Sequence, residues 1–361
     1  MNKLGVLTSG GDSPGMNSAI RAVTKLAAAK GVPVVGVRDG YDGLIDGDFR
    51  ELTAIKADGS VVVDAEVDAA GGLGGTFLGS ARSARFREAA GRRAAVESMR
   101  REGVDGLVVI GGNGTLAGAH LLAQEHGVHL VGIPGSIDND IGCTSSSLGV
   151  DTALNTIVDA CDRISDTARA HRRAFVVEVM GRDCGYLAMA SAVALAADAV
   201  LIREQGKTEE QLIEGVSAVI RLGYERGKRR ILIIKAEGVH VPCTRLVRLT
   251  EERMRPSLPA VEIRATVLGH VVRGGNPSYA DRAMAGRLGL AAVNALVAGA
   301  TDEMVGWNPG VPGGIPTGDT RVFRFPLERV LAETASVIDG TSPVTQRRLA
   351  LMEQAAGVLA L

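Results

Sequence analysis

Two carboxylates stand two residues apart in Gly135-Ser136-Ile137-Asp138-Asn139-Asp140, directly after the apolar run His129 to Ile133, which reads as a buried strand. Open parallel sheets bind ligands just beyond the carboxyl ends of their strands, so Asp138 and Asp140 stand where such sheets do chemistry. The same residues also suit an ordinary polar turn closed by an Asx bond or a helix cap. Two further stretches bear on that choice. Ser9-Gly10-Gly11-Asp12-Ser13-Pro14-Gly15 and Gly111-Gly112-Asn113-Gly114-Thr115 each follow an apolar strand, Leu4 to Thr8 and Gly106 to Ile110, and each precedes a helix. Paired glycines let the backbone approach an anion closely, and the helix points its amino-terminal amides at it. Three such turns in one crevice suit a polyphosphate. Neither glycine turn matches G-x-G-x-x-G or G-x-x-x-x-G-K-[ST], so a dinucleotide site or a Walker loop is not supported.

Basic residues mark strand ends as well. Arg82 and Ser83 follow the glycine-dense run Gly71 to Gly79, where a planar, permanently charged fork can meet a phosphate. Arg173 precedes the strand Ala174 to Val179, and Met180-Gly181-Arg182 ends it, which fits two anion sites or simple solvation. Arg264 enters a later strand and His270 and Arg273 leave it, a set suited to a dianion. Glu237 follows the run Arg230 to Ile234, again at a carboxyl end.

The elements that must position these groups alternate strand and helix, which predicts an α/β fold with parallel sheets. At 361 residues and 46% hydrophobic, with a net charge of −1, the chain is ample for two α/β domains. There are 47 glycines, clustered after apolar runs, and only 3% aromatics, a pattern that favours phosphate turns over stacking platforms for nucleic acid. No run of about eighteen apolar residues and no basic, apolar leader is present, so neither a membrane partner nor secretion is expected, and the cytoplasm is the expected location. Cys143, Cys161, Cys184 and Cys243 form no CxxC pair and read as small buried thiols. Gly306 to Gly318 reads as a Gly- and Pro-rich loop, and Pro326 to Leu361 as a final amphipathic stretch.

Over about residues 1 to 310 the chain carries GVLTSGGDSPGMN, GGTFLGSAR, VVIGGNGT, PGSIDND, VVEVMGR and RATVLGHVVRGG in uninterrupted order. In these it resembles the 6-phosphofructokinases of the bacterial phosphofructokinase A type. The resemblance implies two Rossmann-like three-layer α/β/α domains with mainly parallel sheets: a nucleotide-binding domain of 1–149 plus 266–320 and a sugar-phosphate-binding domain of 150–265 plus 321–361. It implies a glycolytic, allosteric kinase acting on fructose 6-phosphate with ATP and Mg2+, and a homotetramer whose active sites are shared between subunits. Gly11, Tyr41, Arg82, Ser83, Gly112, Asn113, Gly114 and Thr115 would surround the nucleotide. Asp138 would be the general base for the sugar's 1-hydroxyl, with Ser136 and Asp140 beside it. Met180, Gly181, Arg182 and Glu237 would hold the sugar, and Arg173 and Arg264 of an adjacent subunit would join His270 and Arg273 around its 6-phosphate. Arg82 and Arg182 would neutralise the transferring group. Glycine at 114 and 135, where pyrophosphate users commonly carry aspartate and lysine, favours ATP over a pyrophosphate-dependent or mixed-donor enzyme. Asn113 stands where the family usually has an acidic magnesium ligand. That leaves Asp140 as the other metal ligand and admits a weakly active or regulatory paralogue. The effector site is partly echoed in Arg21, Lys25, Asp198, Arg226 and Lys228, with Ser165 in place of an arginine.

Overall fold

The structure, a computed structural model, describes residues 1–359 and divides into two compact units. The first comprises Met1–Thr152 and Arg273–Ser336, the second Ala153–Val272 and the segment from Val337 on. The boundaries expected near 266 and 320 therefore move to 273 and 337. Ile263–Val267 is a strand of the second unit, paired with Ala174–Val179. Val322–Pro326 is a strand of the first, paired antiparallel with Glu303–Trp307. Backbone ladders decide the assignment.

The first unit is built on an eight-stranded sheet in the order Ile315–Pro316, Val322–Pro326, Glu303–Trp307, Leu130–Pro134, Gly106–Gly111, Leu4–Ser9, Val34–Val37, Phe49–Glu51. The five strands from Glu303–Trp307 to Val34–Val37 are parallel, and the outer strands are antiparallel. Leu4–Ser9, Gly106–Gly111 and Leu130–Pro134 are buried at every residue, as near-continuous apolar runs in a sheet covered on both faces must be. Their alternating side chains feed two cores: Leu4, Val6, Val108 and Ile110 pack with Ile20, Val23 and Leu288, whereas Leu7, Leu107 and Val109 pack with Leu44, Leu116 and Leu122.

The stretch read as the Gly306 to Gly318 loop contains instead the end of Glu303–Trp307 and, after it, a hairpin of Ile315–Pro316 with Val322–Pro326. Trp307 is what this segment closes on, with the guanidinium of Arg287 4.7 Å and that of Arg321 5.9 Å from its ring centre. The final stretch forms two helices, Leu327–Asp339 and Pro343–Leu359; residues 360 and 361 lie outside the described residues.

The second unit is built on a four-stranded parallel sheet ordered Ile263–Val267, Ala174–Val179, Ile231–Ala236, Ala199–Leu201. The helices Tyr186–Ala194, Glu209–Glu225 and Cys243–Met254 connect and cover it. The helix Glu209–Glu225 starts at a full capping box, Thr208 with Gln211. Among the described residues no helix is long and apolar enough to cross a membrane.

Candidate active site

In the first unit the three turns named from the sequence lie at carboxyl ends of neighbouring parallel strands. The Gly10 turn is laced to the segment bearing Arg82. Gly10 N–H donates to Ala81 O (3.3 Å), Ser80 Oγ to Gly10 O (2.8 Å), Ser9 Oγ to Ala81 O (3.1 Å) and Thr8 Oγ1 to Gly79 O (2.8 Å). Ser83 Oγ donates to Asp42 (2.5 Å). Arg273 lies on the same turn, its Nη1 bonded to Asp12 O at 3.1 Å. A Cβ added at Gly11 would lie 2.6 Å from that nitrogen, so a side chain there would displace the guanidinium.

The turn Gly111 to Thr115 opens the helix Asn113–His126, where Gly112 gives the first amides no side-chain cap and the Thr115 amide turns back to Gly112 O (3.0 Å). Thr115 Oγ1 ties it to Ser9 O (2.9 Å), and Gly135 N–H ties the aspartate loop to Gly111 O (2.9 Å). Tyr41, expected at the nucleotide, is only 4% exposed. Its ring stacks on Phe86 at 3.8 Å, and its hydroxyl donates to Thr115 O at 2.7 Å. Burial drives its ionisation far above the usual tyrosine range. Tyr41 therefore braces the glycine turn through its hydroxyl.

The aspartate loop holds its own shape. Asp138 N–H donates to Ser136 Oγ and Ser136 Oγ to Asp140 Oδ1, both at 3.3 Å. Asn139, which the sequence reading left without a role, is its staple. At φ 52° it takes the left-handed conformation that asparagine tolerates, its Nδ2 donates to Ser145 O (3.0 Å), and its Oδ1 accepts from Ser147 N (3.2 Å). Asp138 is 4% exposed, while Ser136, Asp140 and Asn113 are half-buried. The far end of the loop is tied to the helix Tyr279–Val297. Asp281 accepts from Gly149 N (2.9 Å), Thr152 N (2.9 Å) and Thr152 Oγ1 (2.5 Å), and Ser278 Oγ caps Asp281 N (3.2 Å). Burial raises the Asp281 carboxyl above its ordinary value against the pull of those donors.

The second unit carries the remaining groups, at both ends of its sheet. At the carboxyl ends, Glu237 Oε1 accepts from Gly181 N (3.2 Å) and Arg182 N (2.6 Å), with Arg182 at φ 50° and Met180 buried. His270 is exposed in the short helix Gly269–Arg273 that follows Ile263–Val267. At the amino ends, Glu262 joins Arg173 and Arg264, with Arg264 Nη2 at 3.1 Å. Arg173 beside it holds the Glu262 carboxyl below its ordinary value. Strands advance about 3.3 Å per residue, so the two ends of Ala174–Val179 stand roughly 17–20 Å apart. One copy of the chain thus groups Met180, Gly181, Arg182 and Glu237, and keeps Arg173 and Arg264 away from them.

A family model described as phosphofructokinase matches residues 3–296. The ATP-dependent 6-phosphofructokinase of Thermotoga neapolitana is 41% identical over 338 residues, covering 94% of this chain and 100% of that protein. The chain belongs to the phosphofructokinase family. The ATP-dependent 6-phosphofructokinase of Brevibacillus brevis is 44% identical over 306 residues, 85% of this chain and 89% of that one. Among solved structures, phosphofructokinase from Saccharomyces cerevisiae superposes with a TM-score of 0.80 at 32% identity; the alignment spans all of this chain and 48% of the yeast chain. A pyrophosphate-dependent phosphofructokinase from Marinobacter aquaeolei shares the fold (TM-score 0.73) at 18% identity over 91% of this chain and 84% of that one.

Two features of this phosphofructokinase follow from packing alone. Gly114 has no atom within 4 Å of the place a Cβ would take, so it is open space beside the turn, whereas Gly135 is walled by Met16, Ile110 and Ser13 at 3.3–3.5 Å. The thiols are buried, as expected from their spacing. Burial pushes Cys143 and Cys243 up to about 11 and Cys161 up to about 12. Because the thiolate is the nucleophile, iodoacetamide at about pH 8 should leave these three unmodified in the folded protein and label them after unfolding. Peptide mass mapping checks this, and native-state labelling of any of the three would contradict it.

Proposed function

We propose that this member of the phosphofructokinase family transfers the γ-phosphoryl group of ATP to the 1-hydroxyl of fructose 6-phosphate, forming fructose 1,6-bisphosphate in cytoplasmic glycolysis. The observation that carries the reading is the joining of the two glycine turns and the aspartate loop in one hydrogen-bonded group, with Asp138 at its buried edge. Amides of the Gly10 and Gly112 turns bind the polyphosphate, and Arg82 and Arg182 take up charge on the transferring group. Asp138 accepts the proton that the attacking hydroxyl loses. Met180, Gly181, Arg182 and Glu237 orient the sugar, and His270 and Arg273 meet its phosphate. Tyr41 acts through the turn it supports.

Magnesium suits the oxygen donors present. Asp140 offers a carboxylate and Asn113 a neutral amide oxygen, and Mg2+ in kinase sites takes one or two protein oxygens and completes its shell with phosphates and water. The bound ion would neutralise phosphate charge. The test is turnover with ATP and with pyrophosphate, each titrated with magnesium, for the parent and Asn113→Asp. ATP-dependent turnover is expected from both, with Asn113→Asp saturating at roughly tenfold lower magnesium because a full charge replaces a dipole. A parent inert with both donors that Asn113→Asp restores would instead favour a regulatory paralogue.

The separation of Arg173 and Arg264 from Glu237 supports a site completed by a second copy, in a homotetramer. Asp138→Ala and Arg264→Ala, each nearly inactive alone, should regain turnover when refolded together, because mixed assemblies contain some sites lacking neither group. No gain over the separate variants would remove the shared site.

A further inference from the structure

We propose that Lys235 is a positioning residue for sugar-phosphate binding, acting through the turn that carries Glu237. The run Ile231-Leu232-Ile233-Ile234 looks like a complete strand, but the strand continues to Ala236 and takes Lys235 inside, where its side chain is 1% exposed. A buried ammonium is costly unless its donors are met. Here all three of its N–H groups have acceptors: Glu178 Oε2 at 2.9 Å, Ala236 O at 3.2 Å and Val239 O at 3.3 Å.

Those partners give the lysine its reach. Glu178 is directly opposite Lys235 in the parallel ladder and lies two residues before Met180. Ala236 and Val239 flank the turn whose apex is Glu237 and Gly238, so one nitrogen grips both sides of that turn. Glu237 N–H donates back to Val179 O (2.9 Å), and its carboxylate receives the amides of Gly181 and Arg182. The turn also packs on that loop so closely that a Cβ at Gly238 would lie 2.2 Å from Arg182 O. Lys235 therefore connects the ends of both strands that present the sugar-side groups, without touching the sugar. Removing Lys235 alone strips the largely buried Glu178 carboxylate of its partner, whereas replacing both by apolar side chains of similar volume is often harmless to stability, so the double replacement isolates the effect on the geometry of the turn.

The inference rests on the assignment of Met180, Gly181, Arg182 and Glu237 to the sugar. Lys235→Met in the full-length protein should raise KM for fructose 6-phosphate about tenfold, leave KM for ATP within about twofold, and lower kcat less than it raises the sugar KM. If Lys235→Met does not fold, Lys235→Met/Glu178→Met, which leaves no unpaired charge, carries the same measurement. An unchanged sugar KM in a folded variant overturns the inference alone. Equal increases in both KM values, tracking a fall in the unfolding midpoint, overturn it in favour of a merely structural lysine. A parent that does not phosphorylate fructose 6-phosphate overturns the site assignment, and this inference with it.

Discussion

Asp138→Asn should lower kcat with ATP and fructose 6-phosphate by about 10²–10⁴-fold, the range that a positioned general base contributes. In activation terms that is roughly 3–5 kcal/mol. The amide matches the carboxylate in size, and the bond that sets the residue's backbone, Asp138 N–H to Ser136 Oγ, does not involve the exchanged group. The staple at Asn139 and the tie from Gly135 to Gly111 are likewise untouched. The exchange removes the capacity to take a proton together with the carboxylate's charge. KM for the sugar should therefore stay within a few-fold, because an interaction made only in the transition state affects kcat and kcat/KM together. Steady-state kinetics on the purified variant decides the matter. Turnover within tenfold of the parent would remove Asp138 as the base and leave the loop a phosphate-side scaffold.

Gly149→Ala should cost the first unit about 2–6 kcal/mol of stability from backbone strain together with overpacking. Gly149 sits at φ 97°, outside the range of L side chains, and its Cβ would meet Ser13 Cβ at 2.7 Å and Pro14 N at 3.1 Å. Neither neighbour is the loose end of a flexible chain. Both belong to the Gly10 turn, while the Gly149 amide bonds to Asp281. The methyl group thus presses apart the aspartate loop, the glycine turn and the helix Tyr279–Val297 at one point. Chemical denaturation should show the midpoint falling, and residual activity should fall further than the folded fraction. An unchanged midpoint would mean that these turns yield to the methyl group.

The turns were legible because each glycine pair stands at the end of a continuous apolar run, a strong local signal for a strand buried on both faces. Asp138, Asp140, Arg182 and Glu237 were located by the same rule of strand ends. What escaped reading depends on distant partners. The bonds from Gly149 and Thr152 to Asp281 cross about 130 residues, the ring of Tyr41 is covered by Phe86, and Trp307 is capped by arginines on both of its chain sides. The hairpin strands Ile315–Pro316 and Val322–Pro326 are short edge elements in Gly- and Pro-rich sequence, where local propensity says loop. Lys235 leaves a fainter trace, a single charge directly after four apolar residues.

Neither unit is a continuous piece of chain, and this has a consequence for its synthesis. On the ribosome, Leu130–Pro134 emerges while the strand that covers its outer edge, Glu303–Trp307, is not yet made. At cellular translation speeds the intervening stretch of about 170 residues takes roughly 10–30 s. Throughout that interval the nascent protein presents an open, wholly apolar sheet edge, a template for pairing with a neighbouring chain. Yield in a host cell should therefore depend on how fast the message is read and on the holding factors available, even where the finished protein is stable.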